Sequence, residues 1–379
     1  MGKKLNQILF INQCSGYLMI DIIRAYGGIY DERILLAGSI NSQNIQIPDD
    51  IKVHKLFAYN RKSKFMRLFT WTIAFIQTLW FLKTRYRNSF LFIVSNPPLA
   101  VFIPLFCNNP FLLLIYDIFP DAIINSKLID KTSVIAKIWN AANKVIFYKA
   151  RRIITISDGM KHILQQYHTN IKIDVIPIWA NTKLFTKVTK DENFFLLEQG
   201  LTDKFVILYS GNLGYSHDVE VIVELAEMLQ DVDVFFLIIG SGGKYSNISN
   251  QINLRGLTNC RILPLQPSNI LPYSFSAADI AIVTLSKNAS NLSVPSKTYN
   301  YLSVGAPLLC IAEQDSELGK LVSKYSIGMC FSKDQTVLMS QYILKVKSDI
   351  LYKDTLAKNA YLASLDFGPE NALKFVADV

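Results

Sequence analysis

The residues best suited to anion chemistry lie between Asn288 and Leu318, in NASNLSVPSKTYNYLSVGAPLLCIAEQDSEL. A Ser/Asn-rich loop passes through Pro295 and Ser296 into a predicted helix starting near Lys297. Loop amides from Ser293 to Ser296 and the Lys297 ammonium then converge at one helix end, where cation and helix dipole both oppose the charge of a diphosphate. The same residues also fit a plain helix cap with a solvated lysine. A second anion-friendly segment, SGNLGYSHDVEVIVELAEML, reads as strand, two-glycine turn (Gly211 to Gly214) and amphipathic helix, an order that leaves amides facing phosphate oxygens. Glycine needed only for positive φ would explain that turn as well. The Gly240-Ser241-Gly242-Gly243 run lacks the third glycine and the downstream acid of a dinucleotide fingerprint, which argues against NAD. Five cysteines, Cys14, Cys107, Cys260, Cys310 and Cys330, show no CxxC spacing. They read as reduced thiols, and no metal site is expected.

Short, continuous apolar runs alternate with helical patterns along the whole chain. QILFI, RILLA, FLFIV, FLLLIY, RIITI and KIDVIPI form one set; VILYS, VFFLIIG, RILPL, IAIVTL, PLLCI and MCF form another. Strands buried on both faces and separated by helices predict two parallel, doubly wound sheets. Ser133 and Ser157 sit where helix N-caps are expected. The polar stretch Asn181 to Asn193 reads as the linker. The expected divisions are 1–182, 183–367 and a final helical piece, 368–379, beginning at the Gly368 break and packing away from the second sheet. In such sheets ligands bind beyond the carboxyl ends of the strands. That rule selects the loops Asn12-Gln13-Cys14-Ser15-Gly16 and Asp117-Ile118-Phe119-Pro120-Asp121 along with the two glycine turns.

Charge separates the two halves. Residues 1 to 182 hold 22 basic and 10 acidic side chains, net +12, and the remainder 17 and 20, net −3, which sum to the +9 of the chain. The surroundings of the charge point to a lipid surface. LFTWTIAFIQTLWFL, the 15 uncharged residues between Arg67 and Lys83, is shorter than the ~20 residues of a membrane span. Flanked by Lys and Arg, it fits a helix lying in the bilayer interface with Trp71, Phe75 and Trp80 at headgroup depth; a core-packed amphipathic helix is the simpler alternative. The uncharged run Asn88 to Tyr116 is cut by Pro97, Pro98, Pro104 and Pro110 into strand, short helix and strand. Nucleic acid is disfavoured, because the aromatics are contiguous and the charges terminal rather than interleaved. After Lys3-Lys4 the apolar stretch ILFI is too short for a signal peptide, so the expected location is cytoplasmic, on the membrane surface.

VPSKTYNYLSVGAPLL with SEL after it, YSGNLG before it, and SNPP, YDIFPD and IPIWAN in the first half together resemble the GT-B glycosyltransferases of retaining family 4. The likeness is greatest to the bacterial branch that builds O-antigen and capsule repeat units, and it runs in order through nearly the whole chain. It implies an α/β GT-B architecture, two Rossmann-like doubly wound parallel-sheet domains facing a central cleft. The first would bind the acceptor and the membrane, the second a nucleotide-sugar, and the last helix would return to the first. The implied reaction is a retaining, metal-independent transfer of a hexosyl or N-acetylaminosugar unit, without a cofactor. Its donor is a UDP-sugar and its acceptor a polyprenyl-diphosphate saccharide at the inner face of the cell membrane.

Carried over by position, the resemblance places Gly211, Asn212, His217, Gly240, Ser293, Ser296, Lys297, Asn300, Ser316 and Glu317 around the donor. Lys297 would oppose the leaving diphosphate and Glu317 would reach the sugar hydroxyls. Asp117, with Ser15 and Gly16 on the acceptor side, would orient or deprotonate the acceptor hydroxyl. The chain departs from the family pattern at three places. The paired glutamates of the family fall at Leu292 and Asn300, its Arg and Lys at Asn212 and His217, and a glycine pair is reduced to Ser15-Gly16. A UDP-sugar epimerase on the same fold and a non-catalytic subunit of a polysaccharide assembly complex are the alternatives. Only four His disfavour the first, and the lost glutamate pair motivates the second.

Overall fold

The computed structural model describes residues 6–43, 45–60, 62–125, 129–167, 172–214, 217–285 and 294–376. The chain divides into two compact units, one formed by Met1–Ile178 with Pro369–Val379 and the other by Trp179–Gly368. In the first unit the strands are β1 (Gln7–Ile11), β2 (Cys14–Gly16), β3 (Glu32–Ala37), β4 (Ser39–Asn41), β5 (Ile51–Lys55), β6 (Phe90–Val94), β7 (Phe111–Ile115), β8 (Arg152–Thr155) and β9 (Ile173–Val175). Among the described residues they form a seven-stranded sheet in the order β5-β3-β1-β6-β7-β8-β9 and a small β2-β4 pair, with parallel pairing throughout. The apolar runs gave six of the seven main strands. β5 is the one they miss, since IKVHK is an edge strand with three polar positions and one buried residue.

The second unit holds β10 (Phe205–Asn212), β11 (Val234–Ser241), β12 (Cys260–Leu263), β13 (Ile280–Thr284), β14 (Leu308–Ile311) and β15 (Gly328–Phe331), ordered β12-β11-β10-β13-β14-β15 and all parallel. All six were read from the sequence. Both sheets reverse direction beside their first strand, between β1 and β6 and between β10 and β13. At such switch points adjacent loops diverge and leave a ligand crevice at the carboxyl edge.

The polar segment Asn181–Asn193 is packed against the second unit rather than free as a linker. Phe185 is buried with its ring 5.2 Å from Phe275, and Lys190 donates to Asp279 Oδ2 at 2.5 Å. The first unit ends at Ile178 rather than at 182 for that reason. The chain end returns to the first unit: Arg152 donates to the Phe375 and Lys374 carbonyls, Tyr26 donates to the Phe375 carbonyl, and the Phe375 ring lies 6.2 Å from Phe92. Ser133 and Ser157 cap their helices by accepting from the Ala136 and Met160 amides.

The aromatic run corrects the expectation on two points. It lies inside a 21-residue helix, Lys64–Thr84, capped by Ser63, which by length and composition alone is apolar enough to cross a membrane. The charged ends are simply included in the helix. One face carries Thr70, Ala74, Thr78 and Leu82, all buried against the domain, so the helix docks along its length. Of the three aromatics expected at a lipid surface, only Trp80 lies on the exposed face. Trp71 and Phe75 lean inward, ring to ring with Tyr59 and Phe106. The outward stripe is formed instead by Phe65, Leu68, Phe69, Ile76 and Trp80, at the 3–4 residue spacing of one helical face.

Candidate active site

Lys297 opens the seven-residue helix Lys297–Ser303, whose residues Thr298, Tyr299, Tyr301, Leu302 and Ser303 are buried. Its stem reaches across to β10. The Lys297 Nζ stands 3.5 Å from the centroid of the Tyr209 ring and has no hydrogen-bond partner, although the atom itself is sealed from solvent. An ammonium over an aromatic face gains from the ring quadrupole, but that does not replace lost hydration. Burial therefore pushes Lys297 down to about 7, with the neighbouring Cys310 acting weakly in the opposite sense. Tyr209 is fixed in turn by donating to the Asn212 carbonyl at 2.7 Å. Gly211 lies directly beside the lysine. It sits at φ +153°, and a Cβ there would lie 3.2 Å from the Lys297 Nζ.

Two further polar atoms on the same helix, Asn300 Oδ1 and Thr298 Oγ1, are buried and unpartnered. Three unsatisfied polar atoms within four residues are costly in a folded protein unless a ligand completes them. His217 lies at the same edge, its Nδ1 3.1 Å from Thr284 Oγ1 at the end of β13. Burial first, and then the Lys297 charge, lower its pKa and favour the neutral ring. The ends of β10 and β13 and the helix Lys297–Ser303 thus bring Gly211, Asn212, His217 and Lys297 together.

The glycine turns are tighter than their sequences suggest. β10 continues through Gly211 to Asn212, so the turn starts at Leu213. The Leu213 amide donates to the Ser241 carbonyl, and the Lys244 amide to the Leu213 carbonyl. These bonds stitch the two glycine loops to each other, so the Leu213 amide is not available to a phosphate. Gly240 faces Gly211 across the β10–β11 pair, and a Cβ on it would fall 2.2 Å from the Gly211 carbonyl oxygen. Its smallness serves backbone approach.

The other expected donor residues are less concentrated. Ser296 is exposed and makes no side-chain cap, while Ser293 lies outside the described residues. Ser316 is buried with its hydroxyl committed at both ends: it accepts from the Gly319 amide and donates to the Glu313 carbonyl. Glu317 follows it in the first turn of the helix Glu317–Tyr325, largely covered and 3.2 Å from Lys320. Both lie beyond β14, the strand next to β13.

In the first unit, Asp117 follows β7, and its amide and that of Tyr116 donate to Ser95 Oγ. The residue keeps an exposed edge, while the protein mass packed around it raises its carboxyl above the usual range. Asp121 instead accepts from the Tyr167 hydroxyl at 2.8 Å. Ser15 and Gly16 border an open cavity of about 800 Å3 that is also lined by Ser39, Asn41, Tyr59, Asn60 and Lys62. Asp117 is not part of that lining.

Tyr209, Thr284 and Lys244 are site residues that motif reading passed over. Lys244 donates to the His217 carbonyl at 2.6 Å and pairs with Glu220 at 2.9 Å, holding the loop that carries His217. Tyr209 stands three residues before the end of β10 and Thr284 ends β13; both are buried, and neither belongs to a sequence motif. Among the described residues no three His, Cys, Asp or Glu side chains group as metal ligands.

The chain is similar to known proteins in sequence and in fold. Residues 192–363 match the family model described as "Glycosyl transferases group 1". Over 256 residues the chain is 27% identical to the putative colanic acid biosynthesis glycosyl transferase WcaI of Escherichia coli, which spans 66% of this chain and 62% of that relative's length. Among solved structures it superposes on a sucrose-phosphate synthase from Thermosynechococcus elongatus (TM-score 0.71, 16% identity, 98% and 97% of the two chains). It also superposes on Anabaena Alr3699/HepE in complex with UDP-glucose (TM-score 0.70, 15% identity, 98% of each chain). The chain therefore has a GT-B fold, and its second unit carries the match to glycosyl transferases group 1.

Proposed function

We propose that the protein is a retaining glycosyltransferase that moves a sugar from a UDP-sugar to a lipid-linked saccharide in surface-polysaccharide synthesis. The observation that carries this reading is the enclosed, unpartnered Lys297 ammonium beside the unpartnered Asn300 and Thr298 oxygens, at the switch point of the second sheet. When the bond between the anomeric carbon and the diphosphate oxygen breaks, the electron pair leaves with the diphosphate. A cation held ready in a low-dielectric pocket stabilises that charge more than it stabilises the bound donor, which is the condition for catalysis. Asn300 would hold the ribose, Glu317 the sugar hydroxyls, and Asp117 the acceptor hydroxyl, whose oxygen forms the new bond to the anomeric carbon. The UDP-glucose bound in HepE and the name of WcaI support this choice of donor and pathway class.

The acceptor's lipid would remain in the bilayer. The +12 charge of residues 1–182 and the exposed stripe of the helix Lys64–Thr84 support a protein that sits at the inner face of the membrane, where each basic residue near an anionic surface contributes about 1 kcal/mol. A thermal-shift series with UDP-, GDP- and other nucleotide-sugars tests the donor. A ligand at about 100 times its dissociation constant raises stability by about 2.7 kcal/mol. We expect that rise with a UDP-sugar; a rise with a GDP-sugar alone overturns the donor assignment, and none with any nucleotide-sugar overturns the function.

A further inference from the structure

The helix Val134–Lys149 buries Ala136, Asn143, Ile146 and Phe147 against the domain. A helix that has buried one apolar face ordinarily turns a polar one to water. This one does not: Val134 (71% exposed), Ile138 (65%), Val145 and Tyr148 (71%) form an outward stripe, with Ile135 beside it. The spacing of 4, 7 and 3 residues keeps them on a single face. Exposed Lys137, Lys144 and Lys149 edge the stripe, and from Lys131 through Ser157 the sequence has six basic residues, Lys131 included, and no acidic one.

This stripe has a neighbour. The strands β5, β6, β7 and β8 advance across the sheet in one direction, so right-handed crossovers place their connections on the same sheet face. Those connections are the helix Lys64–Thr84, the 3-10 segment Pro98–Leu105 and the helix Val134–Lys149, and the 3-10 segment packs against both helices. Rings mark the contacts: Phe75 meets Phe106 at 5.7 Å on one side, and Phe102 meets Trp139 at 5.1 Å on the other. Leu105 and Phe106 are themselves exposed between the two stripes. Exposed apolar side chains thus occur on both helices and at the end of the segment packed against them. From Ile51 to Tyr116 the sequence contains no acidic residue, so the charge around the surface is positive.

We infer that the helix Val134–Lys149 is a second membrane-contacting element, forming with the helix Lys64–Thr84 one two-helix face that lies on an anionic bilayer. The inference rests on the membrane reading above and adds a surface to it. Two apolar stripes side by side fix the domain's orientation on the bilayer, where a single helix would leave it free to roll. The basic residues at the edges select anionic headgroups.

The test is sedimentation of the full-length protein with phosphatidylglycerol-containing vesicles and with pure phosphatidylcholine vesicles, using variants that melt like the parent. Ile135→Ser, Ile138→Ser and Val145→Ser combined should weaken partition about tenfold or more. Lys137→Gln, Lys144→Gln and Lys149→Gln combined should weaken binding to the anionic vesicles and leave the weak binding to neutral ones unchanged. If only the corresponding change in the first helix (Phe65→Ser, Leu68→Ser, Ile76→Ser) releases the protein, the second helix is not a contact and the membrane reading stands. If neither helix matters, that reading falls as well. If the second-helix variant instead converts a dimer to a monomer with vesicle binding unaltered, the face joins two copies and the inference is overturned.

Discussion

The Lys297 ammonium lies 3.5 Å from the centroid of the Tyr209 ring and contacts no hydrogen-bond acceptor. Two elements distant in sequence, the end of β10 and the start of a seven-residue helix, are joined there by a contact that stabilises a cation only partly. A fully paired lysine would already be neutralised before a donor arrived. Lys297 Nζ has no such partner, and the diphosphate contact proposed above rests on that.

Replacing Lys297 with Met keeps most of the side-chain volume and removes the buried charge. Loss of a charge-assisted contact of about 1.5–3 kcal/mol predicts roughly 10- to 150-fold weaker binding of UDP by calorimetry. The thermal midpoint without ligand should stay level or rise, because an enclosed cation has been removed. Unchanged UDP affinity would remove Lys297 from the site.

The depressed Lys297 pKa sets opposite pH trends for ligand binding and for stability. Its folded value of about 7 lies below the ordinary 10.5, so between those values the folded state holds fewer protons than the unfolded one, and the lysine's contribution to stability rises with pH. Diphosphate binding needs the ammonium and takes up a proton. Affinity should therefore weaken by up to about tenfold per pH unit above 7. Calorimetry in buffers of different ionisation heat reads the proton uptake directly, and Lys297→Met should abolish it.

Gly240→Ala tests the stitched glycine loops. The added Cβ meets the Gly211 carbonyl oxygen at 2.2 Å and the Leu213 side chain at 2.9 Å, so β10 and β11 must separate or the turn must shift. Overpacking of this kind costs about 1–3 kcal/mol. Urea denaturation should show that loss, and nucleotide binding should fall with it because Gly211 and Lys297 move together.

Asp117→Asn should leave UDP affinity intact and lower turnover with acceptor about 10²- to 10⁴-fold, the range for losing a positioned acid–base group. Its carboxyl is raised by the protein around it. In the parent protein, turnover should accordingly fall on acidification at a higher pH than an ordinary aspartate would give. Wild-type turnover in the Asn variant would assign Asp117 to structure alone.

Arg152→Met would release the returning chain end. The guanidinium donates to Asp174 at 2.5 Å and to the Phe375 and Lys374 carbonyls at 2.8 and 3.0 Å. Removing it strands a half-buried carboxylate and two carbonyls, a cost of about 2 kcal/mol. Hydrogen exchange should speed up in Pro369–Phe375 before it does in β6 or β7.

The sequence by itself determined the two parallel sheets, because strands buried on both faces must be continuous apolar runs, and twelve such runs stand out between helical segments. It also located the lysine and glycine loops at the carboxyl ends of the strands, since loop chemistry is local. Tertiary structure alone decided what those residues touch. Nothing local puts Tyr209 under Lys297 or spends the Leu213 amide on Ser241, because both depend on how β10, β11 and β13 register side by side. The same holds for the exposed apolar stripes of the two helices. Helical periodicity shows that a helix has two faces, but not which one the sheet covers. Packing buried the small residues of the helix Lys64–Thr84 and turned Trp71 and Phe75 inward, and it left the apolar stripe of the helix Val134–Lys149 facing outward.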